Sequence, residues 1–179
     1  MGAVLHTLNI RLFPEQLIHV ANHAEDQVII VDPTLLPLLN PQLPQLSTVK
    51  HVIVTGDSTD GVEAPDGVAV HAYESLLADQ PTTFDWPDVD ERSAAAMCYT
   101  SGTTGKPKGA ELTVGNLLAA GEVAAQVSRG TSDDRLGTGL PLFHVFGLTC
   151  ALMAPVTTGA SLALIPRFDP AVAAQTVRE

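Results

Sequence analysis

From residue 136 to residue 166 the chain carries no Asp, Glu, Lys or Arg. A stretch that long without charge raises the question of a bilayer span. A membrane-spanning helix needs about 20 predominantly apolar residues in one run. Here Gly137, Gly139, Pro141, Gly147, Pro155, Thr157, Thr158 and Gly159 break the stretch into shorter pieces. It therefore reads as two buried elements with a turn between them, and no transmembrane segment is expected. Burial of such a segment normally requires neighbours on both sides.

The rest of the chain alternates helix and strand. Pro14 suits the first turn of a helix that carries Leu17, Ile18 and Ala21 at helical spacing. Residues 27–32 (QVIIVD) and 50–55 (KHVIVT) are β-branched runs, each closed by a breaker pair, Asp32-Pro33 and Gly56-Asp57. Between them Pro33, Pro37, Pro41 and Pro44 limit any helix to a short irregular piece. Residues 93–99 (SAAAMCY) predict a strand of small side chains, and Thr113 can cap a helix through Leu117, Leu118, Val123 and Val127. Further on, the pattern predicts strands over 135–140 and 160–165, a helix over 145–154, and another beginning near Pro170. The fold class is α/β, and 179 residues are enough to bury a core without staples.

Charge narrows the functions. Nine Lys and Arg stand against twenty Asp and Glu, a formal net charge of −11. A nucleic-acid partner would need a basic face, so none is expected. Ten of the acids, with no Lys or Arg among them, lie in residues 57–91. With Pro65, Pro81 and Pro87 added, that stretch reads as a solvated connecting region holding a short helix near 72–78. Cys98 and Cys150 are too few for a disulfide framework or a four-ligand zinc site, which makes a cytoplasmic setting the default. Residues 1–9 show neither the basic start nor the apolar run of a secretory signal.

The chemistry concentrates in residues 99–109, YTSGTTGKPKG. Gly102, Gly105 and Gly109 permit close backbone approach to a ligand, and successive amides of such a loop can form an anion-binding nest. Thr100, Ser101, Thr103 and Thr104 add hydroxyls, and Lys106 and Lys108 bring positive charge to an acid-free stretch of an acidic chain. A strand before and a helix after is a setting that phosphate loops occupy. The P-loop pattern is excluded, because Pro107 stands where its second glycine belongs, and G-x-G-x-x-G is absent too.

This loop resembles the phosphate-binding signature of the adenylate-forming (AMP-binding) superfamily, which includes acyl-CoA synthetases, peptide-synthetase adenylation domains and luciferases. Residues 140–147 (LPLFHVFG) resemble that superfamily's next motif, at the downstream spacing it should have. Residues 1–15 (MGAVLHTLNIRLFPE) and 164–170 (LIPRFDP) are similar to its medium- and long-chain fatty-acid branch. The resemblance covers nearly the whole chain. It implies that residues 1–179 are an incomplete AMP-binding domain, part of the large N-terminal domain of the adenylate-forming fold. The family's Tyr-Gly-x-Thr-Glu segment, ribose-binding aspartate, hinge and catalytic lysine would lie beyond Glu179. Thr55-Gly56-Asp57 spells the ribose motif but precedes the loop, and reads as a turn after a strand.

The activity so implied is ATP-dependent activation of a fatty acid to acyl-adenylate and then to acyl-CoA, with Mg²⁺ as cofactor and CoA as co-substrate. By resemblance, Thr100, Ser101, Gly102, Thr103, Thr104, Gly105 and Lys108 would hold the β- and γ-phosphates of ATP, and Thr100 would stand near Mg²⁺. His144, with Lys108, would act in catalysis at the junction of ATP and acyl pocket. Phe143, His144, Phe146 and Gly147 would shape that pocket. Peripheral membrane contact is compatible with a lipid substrate. The alternative is a non-catalytic remnant with at most weak nucleotide binding. Ile10 and Val114 depart from the family pattern, which favours proline and histidine there. His19 and His23 share a helix face at i, i+4 and read as a solvated face, since no third metal ligand is evident.

Overall fold

The structure, a computed structural model, describes residues 2–100, 107–165 and 168–176. These divide into two compact units: residues 8–86 with 107–109, and residues 2–7, 87–100 and 110–176.

The first unit is built on a three-stranded parallel sheet in the order β2-β3-β4, with β2 Val28–Val31, β3 His51–Val54 and β4 Ala69–Ala72. Val28 pairs with His51 and His51 with Ala69, in continuous register through Val31, Val54 and Ala72. Strand side chains alternate, so one face carries Ile29, Val31, Val52 and Val54, all buried. Against them pack Leu17 and Ala21 of helix α1 (Pro14–His23), Leu36 and Leu39 of α2 (Leu36–Leu39), and Leu43, Leu46 and Val49. The opposite face presents Val28, Ile30 and His51 to solvent. Helix α1 starts at Pro14, and the Gln16 side chain accepts a hydrogen bond from the Phe13 N–H at 3.2 Å. Around the four prolines the backbone forms a 3₁₀ turn over Pro33–Leu35, the short α2, and a second 3₁₀ turn over Leu43–Gln45. Asp32 caps the first of these. Its Oδ1 accepts from the Thr34 N–H at 2.9 Å and the Thr34 hydroxyl at 2.6 Å, which holds its carboxyl below the ordinary value of 3.8. Asn22 clamps the far end of α1, accepting from Ser47 N–H at 2.9 Å and donating to the Gln45 carbonyl at 2.8 Å.

The acidic stretch 57–91 is more structured than a solvated connection. It contains β4 and, directly after it, helix α3 (Tyr73–Leu77). Gly56, at φ +96°, makes the turn after β3, and its carbonyl accepts from Glu74 N–H at 3.2 Å.

The second unit holds, but for Lys108 and Gly109, a three-stranded sheet in the order β1-β5-β6, with β1 Leu5–His6, β5 Ala94–Thr100 and β6 Lys108–Thr113. Strands β1 and β5 are parallel, Leu5 opposite Ala96. Ala96 and Cys98 face inward onto Leu148, with Leu112, Leu117 and Leu152 alongside. Cys98 is thus a buried, small core residue. Helix α4 (Val114–Ser128) opens with a reciprocal cap. The Thr113 hydroxyl accepts from Asn116 N–H, and Asn116 Oδ1 accepts from Thr113 N–H, each at 3.1 Å. It closes at Arg129 in the left-handed region, with Gly130 N–H bonded to the Ala125 carbonyl at 2.8 Å. A two-stranded parallel sheet, β7 (Arg135–Thr138) with β8 (Ser161–Leu164), flanks a helical run that is π-type over Gly147–Met153 and α over Ala154–Thr158, here α5. Asp169 caps the last helix, α6 (Pro170–Thr176), accepting from the N–H groups of Ala171 and Val172.

Two expectations are corrected here. The element that follows the stretch expected to bind phosphate is a strand, β6, and the helix comes only after it. Lys108 to Thr113 has no apolar alternation to announce a strand; pairing beside β5 in the sheet imposes it. The helix expected over 145–154 starts with only two α-helical residues and then widens into π geometry through Met153.

Candidate active site

Strand β5 ends where the stretch expected to bind phosphate begins. Thr100 is its last residue, and the Thr100 side chain is exposed there. Ser101, Gly102, Thr103, Thr104, Gly105 and Lys106 lie outside the described residues. The chain resumes at Pro107, half-buried, and enters β6 with Lys108, whose side chain is exposed. In sequence, a solvent-facing hydroxyl and a solvent-facing ammonium therefore bracket residues 101–107.

The second motif forms the turn that leads into the π-type segment. The His144 N–H bonds to the Pro141 carbonyl at 3.1 Å, and the His144 carbonyl accepts from Leu148 N–H at 3.0 Å. Its Nδ1 accepts from the Phe146 N–H at 3.3 Å. With Nδ1 occupied as acceptor, the neutral imidazole carries its proton on Nε2 and presents a donor to solvent. Phe143 is half-buried, Phe146 is exposed, and Gly147 is buried. A Cβ at Gly147 would strike the Pro141 carbonyl, so only glycine closes this turn.

One positioning contact was not assigned from sequence. The Thr7 hydroxyl, just past β1, donates to the Phe143 carbonyl at 3.2 Å and lies 3.9 Å from Cys98 Sγ. It ties the start of the chain and the middle of β5 to the second motif. Thr7 sits inside the 1–15 segment whose similarity was noted, but nothing in that segment's pattern marks one hydroxyl above its neighbours.

The remaining candidates are the two histidines of α1. His19 is half-buried and His23 exposed on α1, with ring centroids 5.6 Å apart. Among the described residues no group of three or more His, Cys, Asp or Glu side chains could hold a metal ion. Nor, among them, is any helix long and apolar enough to cross a membrane.

The family model described as AMP-binding enzyme matches residues 1–179. The chain is similar to the long-chain-fatty-acid–CoA ligase of Thermus thermophilus, 40% identical over 175 residues, which are 96% of this chain and 30% of that protein. It is 48% identical over 108 residues to the 3-methylmercaptopropionyl-CoA ligase of Ruegeria pomeroyi, covering 60% of this chain and 20% of that one. Among solved structures, ATP-bound MatB from Rhodopseudomonas palustris superposes with a TM-score of 0.74 at 26% identity, over 96% of this chain and 32% of its own. The chain therefore spans less than a third of the length of each of these three proteins.

Proposed function

Since the chain belongs to the AMP-binding enzyme family and has the α/β fold of the adenylate-forming N-terminal domain, we propose that it supplies the phosphate-binding and acyl-pocket motifs for ATP-dependent activation of a fatty acid. In the first step the substrate carboxylate attacks the α-phosphorus of ATP and pyrophosphate leaves. In the second the CoA thiol attacks the acyl carbon and AMP leaves. The first step brings two anions together, so the chain's task is positioning and charge stabilisation.

Thr100, Ser101, Gly102, Thr103, Thr104, Gly105 and Lys108 hold the β- and γ-phosphates in this reading. The observation that supports it most is that Thr100, the last residue of β5, and Lys108, the first of β6, are both exposed and flank residues 101–107 in sequence. The exposed Thr100 hydroxyl also fits a hard cation, which takes oxygen ligands and keeps several waters. Mg²⁺ held there would neutralise phosphate charge. His144 offers its Nε2–H at the entrance of the acyl pocket, and Phe143, Phe146 and Gly147 form the wall. The fatty-acid class rests on the Thermus relative, whereas the Ruegeria relative favours a short thioether-containing acid over the residues it matches.

The test is carboxylate-dependent ATP–pyrophosphate exchange by a chimera in which residues 1–179 replace the matching segment of the Thermus ligase. Exchange with palmitate or octanoate is the expected result. Exchange with 3-methylmercaptopropionate alone would move the substrate class to the short acid. A folded chimera inactive with all three would support a non-catalytic remnant.

A further inference from the structure

Two histidines outside this site lie on the solvent-facing side of the β2-β3-β4 sheet. His51 opens β3, and His71 sits in β4, one strand over and diagonally displaced, because His51 pairs with Ala69 and Ile53 with His71. Their rings lie 5.4 Å apart between centroids at 35°, and His51 Nδ1 is 3.3 Å from His71 Nε2. That separation is long for a nitrogen–nitrogen hydrogen bond. It also matches a different figure: two nitrogens bound to one tetrahedral ion at about 2.0–2.1 Å stand about 3.3 Å from each other.

The geometry points to a two-histidine site for a late divalent transition ion (Zn²⁺, Ni²⁺ or Cu²⁺) bridging β3 and β4, independent of the proposed ATP site. Imidazole suits these ions, and Mg²⁺ prefers oxygen ligands. In the bound form each ring keeps its proton on the outer nitrogen, Nε2 of His51 and Nδ1 of His71. The two facing nitrogens give lone pairs, and no net proton is released from the neutral rings. The surrounding face carries Val28, Ile30, Ile53 and Ala69, which bring neither charge nor ligand atoms. Water completes the coordination, and His51 is exposed enough for the ion to arrive from solvent. Both imidazoles are held in place by the paired strands, so the second bond forms within an already oriented site.

The experiment titrates the full chain with NiCl₂, CuCl₂, ZnCl₂ and MgCl₂ by calorimetry, alongside His51→Gln, His71→Gln and the double change His19→Gln/His23→Gln. We expect one transition ion per chain and no Mg²⁺. Either single change should weaken binding about 100-fold, the lower end of what a linked second contact can add, and the double change on α1 should leave it intact. A second readout does not depend on the variants. Zn²⁺ should protect His51 and His71, and not His6, His19, His23 or His144, from acylation by diethyl pyrocarbonate, as read by peptide mass spectrometry. Absence of stoichiometric binding, transfer of the effect to His19 and His23, or equal acylation with and without Zn²⁺ would overturn the site and leave the pair as a hydrogen bond.

Discussion

At Gly121 helix α4 packs against Met153, in the run that follows the second motif. It is buried in the middle of the helix, and a Cβ there would stand 3.0 Å from the Met153 carbonyl oxygen, 3.0 Å from Met153 Cβ and 3.1 Å from its carbonyl carbon. Gly121→Ala therefore sets two effects against each other. Replacing glycine by alanine inside a helix contributes about 0.8–1.0 kcal/mol of stability. Forcing a methyl group into a packed contact costs about 1–3 kcal/mol. Two of the three atoms struck are backbone, at the junction of the π and α geometries, so no side-chain rotation relieves the contact. The packing cost should win, leaving a net loss of about 1 kcal/mol, or a roughly fivefold shift in the folded-to-unfolded ratio. Urea denaturation of wild type, Gly121→Ala and Gly121→Val, followed by circular dichroism, measures it. The valine variant should be the least stable of the three. An alanine variant as stable as wild type, or more so, would refute the reasoning, because it would mean that the helix and the Met153 backbone separate at no cost.

Leu43→Ala, at one of the most deeply buried side chains of the 8–86 unit, should cost about 2–5 kcal/mol and lower the urea midpoint accordingly. Asp32 is bonded to Thr34 in the folded chain, so its carboxyl titrates below 3.8 and its contribution is present above that pH. The stability difference between wild type and Asp32→Ala should then hold at pH 6 and vanish as the pH falls through the depressed value, and a difference that grew on acidification would contradict the sign. In the exchange-active chimera, Lys108→Ala should slow ATP–pyrophosphate exchange by about 30- to 1,000-fold, the loss of about 2–4 kcal/mol of charge stabilisation. Lys106→Ala should matter less, and the reverse order would reassign the two roles.

What could be read from the residues follows from where the information is local. Strands β2 and β3 announce themselves because Ile29, Val31, Val52 and Val54 alternate and each run ends at a breaker pair. The start of α4 is legible because Thr113 and Asn116 satisfy the orphan amides with their own side chains. Strands β1 and β6 are not, because Leu5–His6 is two residues long and Lys108–Thr113 lacks a pattern; both are specified by β5 between them. The same holds for the site. The loop's composition and His144 stand out in sequence, while Thr7 acquires its role only through a bond to a carbonyl 136 residues away. The diagonal approach of His51 and His71 likewise depends on strand register that spacing alone does not give.

The unit that holds the second motif is discontinuous, since residues 8–86 intervene between β1 and β5. During synthesis β1 emerges long before the strand it pairs with. Closing a flexible loop of that size costs about 4 kcal/mol from the logarithmic length dependence alone. A two-residue strand cannot offset such a cost by itself. The 8–86 unit has its own parallel sheet and core, so it can become ordered while the remainder is still on the ribosome. Once it is ordered, the long closure is no longer a search by free chain. Slow folding in this protein should therefore be sought in the return of β1 to β5, and substitutions that weaken the 8–86 core should delay a strand pairing to which they contribute no atom.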